Sequence, residues 1–151
     1  MEALERARTI QSVEISTIAH ATDDLDKVNA ALRTILPEAL RQREVFTRKY
    51  MHGHHNNPIV TFDARLTKPG DVEQFASNFV SHLGKSERSL IERDLDLYSD
   101  DEGNLYIRID KQQAFRGTVE LGDEDPIRVR LKFTRLSGDS KALMKKLLES
   151  D

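Results

Sequence analysis

The stretch Ile127-Arg128-Val129-Arg130-Leu131-Lys132-Phe133-Thr134-Arg135 alternates apolar and cationic side chains, with no acid between Pro126 and Arg135. A repeat of two is the repeat of a strand, so Val129, Leu131 and Phe133 point to a core while Arg128, Arg130 and Lys132 share the other face. Same-face neighbours on a strand lie roughly 6.5 to 7 Å apart, comparable with phosphate separation along a nucleic-acid strand. The strand therefore offers a positive stripe with phosphate spacing, or else a solvated sheet face kept soluble by its charges.

The rest of the chain supplies partners for such a strand. Leu105, Ile107 and Ile109 alternate with Tyr106, Arg108 and Asp110. Leu95 and Leu97 alternate with acids before the turn Asp100-Asp101-Glu102-Gly103-Asn104, so a hairpin is expected there. Val60, Phe62, Ala64 and Leu66 alternate with Thr61, Asp63 and Arg65, and between Ile10 and Ala21 the residues Val13, Ile15 and Thr17 alternate with Glu14, Ser16 and Ile18. A further strand is expected within Arg41 to Met51, and Val119 and Leu121 add a brief one after a polar connector from Lys111 to Gly117.

Helical spacing appears between these stretches. Leu25, Val28, Leu32, Ile35 and Leu36 follow the capping residues Asp23 and Asp24 and stop at Pro37. Val72, Phe75, Ala76, Phe79, Val80 and Leu83 recur between Pro69 and Gly84. Ser86 caps a short helix to about Arg93, and Leu143, Leu147 and Leu148 mark a terminal one. Strands outnumber helical crossovers, so the expected fold is α+β: a two-layer mixed β-sheet with helices packed on one face, in a single domain over residues 1–151.

Composition narrows the function. Hydrophobic residues are 38% and charged residues 32% of 151, with seven glycines and four prolines, a globular balance long enough for one core. Without cysteine there is no disulfide, thiolate metal site or cysteine nucleophile, which agrees with a cytoplasmic location. No apolar run approaches the roughly 20 residues that span a bilayer, and the opening MEALERARTI is too charged for a signal peptide, so no membrane association is expected. Neither GxxxxGK[ST] nor GxGxxG occurs, which sets aside phosphate-loop and dinucleotide chemistry and leaves no cofactor to expect.

The net charge of −3 conceals segregation. Arg41, Arg43, Arg48 and Lys49 gather against Glu44, while Asp94, Asp96, Asp100, Asp101 and Glu102 gather elsewhere. The loop His52-Gly53-His54-His55-Asn56-Asn57-Pro58 brings three imidazoles together, and His20 is a further donor. A metal-dependent hydrolase is one reading of that loop, but it holds no carboxylate and matches no HExxH spacing. Base stacking or hydrogen bonding by the same histidines with Tyr50, Asn56 and Asn57, or a plain polar turn closed by Pro58, are the others. Asp23 and Asp24 read as helix caps rather than as general acid and base.

Four segments taken in order, Ser12-Val13-Glu14-Ile15-Ser16-Thr17 with Ala19-His20-Ala21-Thr22, Gly53-His54-His55-Asn56-Asn57-Pro58-Ile59, Ile109-Asp110-Lys111-Gln112, and Ile127 to Phe133, resemble an archaeal family of predicted RNA-binding, exosome-associated proteins. The resemblance covers about Ser12 to Phe133 and omits the terminal helix. It implies a fold like that of the large-subunit ribosomal protein that binds five-S RNA, and RNA with RNA-processing or ribosomal components as partners. The resemblance carries no set of contacting residues.

The reading is a non-catalytic RNA-binding protein in which Arg128, Arg130 and Lys132 hold phosphates, aided by Arg108, Lys111, Arg43 and Lys49, with His20 and His54 at the edge. The alternative from another class is an assembly module docking the same basic face on an acidic protein. Everything depends on which sheet face the helices cover.

Overall fold

The computed structural model describes residues 9–134 and 139–150. Its strands are β1 (Ile10–His20), β2 (Thr47–His52), β3 (Pro58–Leu66), β4 (Asn104–Asp110) and β5 (Pro126–Phe133). They form one sheet in the order β2-β3-β1-β5-β4, and every pairing among the described residues is antiparallel. The two-layer α+β expectation holds, with the sheet antiparallel rather than mixed among the described residues.

β1 is the central strand because its long β-branched run pairs on both sides, with β3 from Val13↔Leu66 to His20↔Ile59 and with β5 from Ser12↔Lys132 to Ser16↔Arg128. A register shift between Ile10 and Ser12 leaves a bulge at its start. Val13, Ile15, Ala19, Phe62, Leu105, Ile107, Val129, Leu131 and Phe133 are buried on one face, where the helices lie. Thr17 shares that face, and its hydroxyl donates to the Pro126 carbonyl at 3.0 Å, so its polar atom is satisfied.

The helices are α1 (Leu25–Ile35), α2 (Glu38–Arg41), α3 (Pro69–His82), α4 (Lys85–Arg93), α5 (Leu95–Tyr98), α6 (Lys111–Phe115) and α7 (Ser140–Glu149). α1 starts where the Asp24 carboxylate accepts from the Asp26 N–H and buries Val28, Ala31, Leu32 and Ile35. α3 starts with Pro69 in its first turn and buries Val72, Phe75, Ala76, Phe79 and Val80, with the Phe75 and Phe79 rings stacked at 5.3 Å. The terminal α7, capped by Asp139, buries Met144, Leu147 and Leu148.

Several local expectations are corrected. The strand expected within Arg41 to Met51 is β2, which begins only at Thr47, and Glu38–Arg41 make a helical turn after Pro37. α4 begins at Lys85 behind Gly84, so Ser86 lies inside the helix rather than capping it. Leu95-Asp96-Leu97-Tyr98 is a helical turn, not a strand; it reaches the turn at Asp100 through a single Ser99↔Leu105 bridge. The polar connector from Lys111 is α6, which begins because the Asp110 carboxylate accepts from the Gln113 N–H at 3.0 Å. Leu121 makes one bridge, to Ile109, in place of a brief strand. Arg135 and the opening residues 1–8 lie outside the described residues.

Candidate nucleic-acid interface

Residues directly opposite in an antiparallel pair share a sheet face, so the registers define the face away from the helices. It carries Lys49 on β2, Thr61, Asp63 and Arg65 on β3, and Glu14, Ser16 and Ile18 on β1. It continues with Arg128, Arg130 and Lys132 on β5 and with Tyr106 and Arg108 on β4. Arg128, Arg108, Tyr106 and Lys49 are exposed, and Arg130 and Lys132 are half-buried. The helices therefore leave the stripe open.

Arg108 stands directly opposite Arg128. Like charges so placed repel, and little nearby relieves them. Arg108 reaches only the exposed Asp123, at 4.0 Å, and Arg128 makes no ion pair among the described residues. Lys132 and Lys49 are likewise without an acidic partner among the described residues. Two opposed, solvated guanidiniums present a fork of donors suited to an anion's oxygens.

Arg130 differs from its neighbours. Its Nη2 pairs with Glu14, and the other Glu14 oxygen lies 3.7 Å from Arg65 Nη1. Glu14 thus bridges two strands' arginines, and the segregation of acids read from the sequence is incomplete on this face. Arg130 Nε is buried without a hydrogen-bond partner among the described residues.

Tyr106, opposite Arg130, was not singled out as a site residue in the sequence, although its position beside Arg108 on the alternating strand was the available signal. Its hydroxyl donates to Asp100 Oδ2 at 3.0 Å. Burial, then the hydrogen bond to Asp100, push the phenol above its usual value. For Asp100 burial works against ionisation, but donors from the Asn104 side chain, the Asn104 and Glu102 backbones and Tyr106 outweigh it and lower the carboxyl from 3.8 to about 2.

Three residues proposed from sequence lie apart from this face. Lys111 is buried: its ammonium donates to the Ile18 carbonyl at 2.7 Å and to Asp125 at 2.9 Å, so it ties α6 to β1 instead of reaching solvent. Arg43 is exposed but held by Asp71 of α3 at 2.8 Å, toward the helical layer. His54 lies in the short turn between β2 and β3, with its ring 4.4 Å from that of His55 and nearly perpendicular to it.

His20 closes the end of β1 and borders, with His52 and Tyr50, a cleft of about 420 Å³ near the turn end of the β2–β3 hairpin. Its Nε2 is 3.7 Å from Asp125, and Asp23 is the third member of the group. These are the clustered metal-type donors among the described residues, not the His52 to His55 loop. They do not fit a cation, since the Lys111 ammonium already sits on Asp125 and the Asp23 carboxylate accepts from the His20 backbone N–H at 2.7 Å.

A family model described as RNA binding matches residues 12–133. An RNA-binding protein of Pyrococcus abyssi is 33% identical over 140 residues, covering 91% of each chain. Among solved structures, a protein from Archaeglobus fulgidus is 30% identical, covers 91% of this chain and 99% of its own, and superposes with a TM-score of 0.79. A protein from Methanothermobacter thermautotrophicus is 26% identical, covers 93% of this chain and 99% of its own, and gives a TM-score of 0.74.

Proposed function

The chain belongs to the RNA-binding family, and on that premise we propose that it binds RNA without catalysis through the open face of its sheet, with Arg108 and Arg128 as the principal phosphate clamp. Lys132 and Lys49 extend the contact along and across the face, and Arg130 contributes from its pairing with Glu14. The observation that carries this reading is the pair of opposed arginines: two like charges on the face that the described helices leave open, whose one ion pair among the described residues is with the exposed Asp123 at 4.0 Å. An RNA phosphate between them turns a repulsion into two charge-assisted contacts and releases condensed counterions.

Lys111 and Arg43, committed to Asp125 and Asp71, support the fold in this account and do not contact RNA. We further infer RNA-processing (exosome) or ribosomal components as partners, and a fold kinship with the ribosomal protein that binds five-S RNA; the ordered motifs from Ser12 to Phe133 support both.

The test is the charge reversal Arg108→Glu with Arg128→Glu. Loss of two phosphate contacts should weaken binding to unrelated RNA sequences alike, by about tenfold or more, and reduce the salt slope by about two. Unchanged affinity in a folded variant contradicts the site.

A further inference from the structure

We propose that the groove beside Tyr106 is a subsite for an unpaired base, so that the RNA taken by this face is single-stranded; the proposal rests on the phosphate-binding reading of Arg108 and Arg128. The groove has a volume of about 270 Å³, and its polar lining is Glu14, Ser16, Tyr106, Arg108, Arg128 and Arg130.

Tyr106 is 44% exposed, and on the open face it is the aromatic among the described residues. Its ring is held at the tip by the hydroxyl bond to Asp100, and Asp100 is itself held by Asn104 and by the Glu102 backbone. A ring already fixed loses little freedom when a base stacks on it, which favours binding. Every base has a π-face, so such a platform tolerates any sequence.

The neighbouring chemistry matches a nucleotide rather than a bare anion. Arg108 lies two residues along the same strand face, roughly 7 Å away, so one nucleotide can lay its base on Tyr106 and its phosphate between Arg108 and Arg128. Glu14 and Ser16, on the neighbouring strand, line the same groove. A carboxylate repels phosphate, but it accepts hydrogen bonds from the amino and imino groups of a base edge, and an ionised carboxylate with two arginine contacts keeps lone pairs free. A duplex hides those edges and faces inside its own stack, so the Tyr106 ring face and the free lone pairs of Glu14 would meet no base.

The experiment uses the full chain and two probes of one sequence: a short, unstructured RNA strand labelled with a fluorophore, and its blunt duplex. Anisotropy should show tighter binding of the single strand, and Tyr106→Ala should weaken that binding about 5- to 100-fold while leaving the salt slope unchanged. Tyr106→Phe, which keeps the ring and loses the hydroxyl, should retain most of the affinity. The chain has no tryptophan, so Tyr106→Trp places a lone indole at the site, whose emission should change as the single strand is added.

Equal or tighter binding of the duplex, or a folded Tyr106→Ala protein that binds the single strand as the parent does, overturns the subsite. Where Tyr106→Ala is silent but the Arg108 and Arg128 reversal abolishes binding, the phosphate reading stands without the base subsite. Where both are silent, the two readings fall together.

Discussion

Lys111 and Arg128 are both cations that the alternating and polar patterns present as solvent-facing, and the structure gives them opposite work. Lys111 donates to the Ile18 carbonyl and to Asp125, so Lys111→Met should cost about 1 to 3 kcal/mol by removing the partner of a partly buried carbonyl. Thermal unfolding should fall by several degrees, while RNA affinity measured below the transition should not change. Asp100 makes a pH prediction of the same scale. Its folded carboxyl sits at about 2 against 3.8 unfolded, so the stability it contributes is complete above 3.8 and is lost as pH falls through about 2. In Asp100→Asn the acid limb of the stability curve in that window should be shallower, and a curve superposing on the parent's would contradict the assignment. After solvent screening the effect is of order 1 kcal/mol.

At the scale of elements, β4 is the edge strand beside the clamp, and its outer side is covered by the segment after α6. Asp110 N–H donates to the Glu120 carbonyl at 2.8 Å and Gly122 N–H to the Arg108 carbonyl at 3.1 Å. A Cβ on Gly122 would come within 2.7 Å of Asp110 Cβ and 2.9 Å of its Cα, so Gly122→Ala must push this cover away from β4. A loss of about 1 to 3 kcal/mol is expected, with faster hydrogen exchange at the Asp110 amide than at the central β1 amides.

The long elements were legible because their patterns are long: β5 alternates over the seven residues from Ile127 to Phe133, and α3 repeats its apolar positions for fourteen. Leu95 to Tyr98 was not, because four alternating residues fit a strand and a helical turn equally, and the exposed Leu97 follows neither core. α6 looked like a connector because its cap, Asp110, also continues the alternation of β4. The phosphate stripe on β5 was legible by period alone. The role of Glu14, and the loss of Lys111 and Arg43 to Asp125 and Asp71, depend on contacts between distant segments that no local pattern carries.

For the molecule as a whole, the face decides the account. All the helices for which the sheet supplies a buried surface lie on one side, which leaves Lys49, Arg65, Arg108, Arg128, Arg130 and Lys132 on the other with Glu14 and Asp63. A chain of net charge −3 can thus present a positive surface, and RNA binding should weaken steeply as salt rises. The most direct measurement is an anisotropy titration of the purified protein with single-stranded RNA at two salt concentrations, run beside the Arg108→Glu, Arg128→Glu protein. The account predicts salt-sensitive binding that the double reversal weakens by about tenfold or more, with a smaller salt slope. Binding that is indifferent to salt, or that survives the reversal in a folded protein, would contradict it.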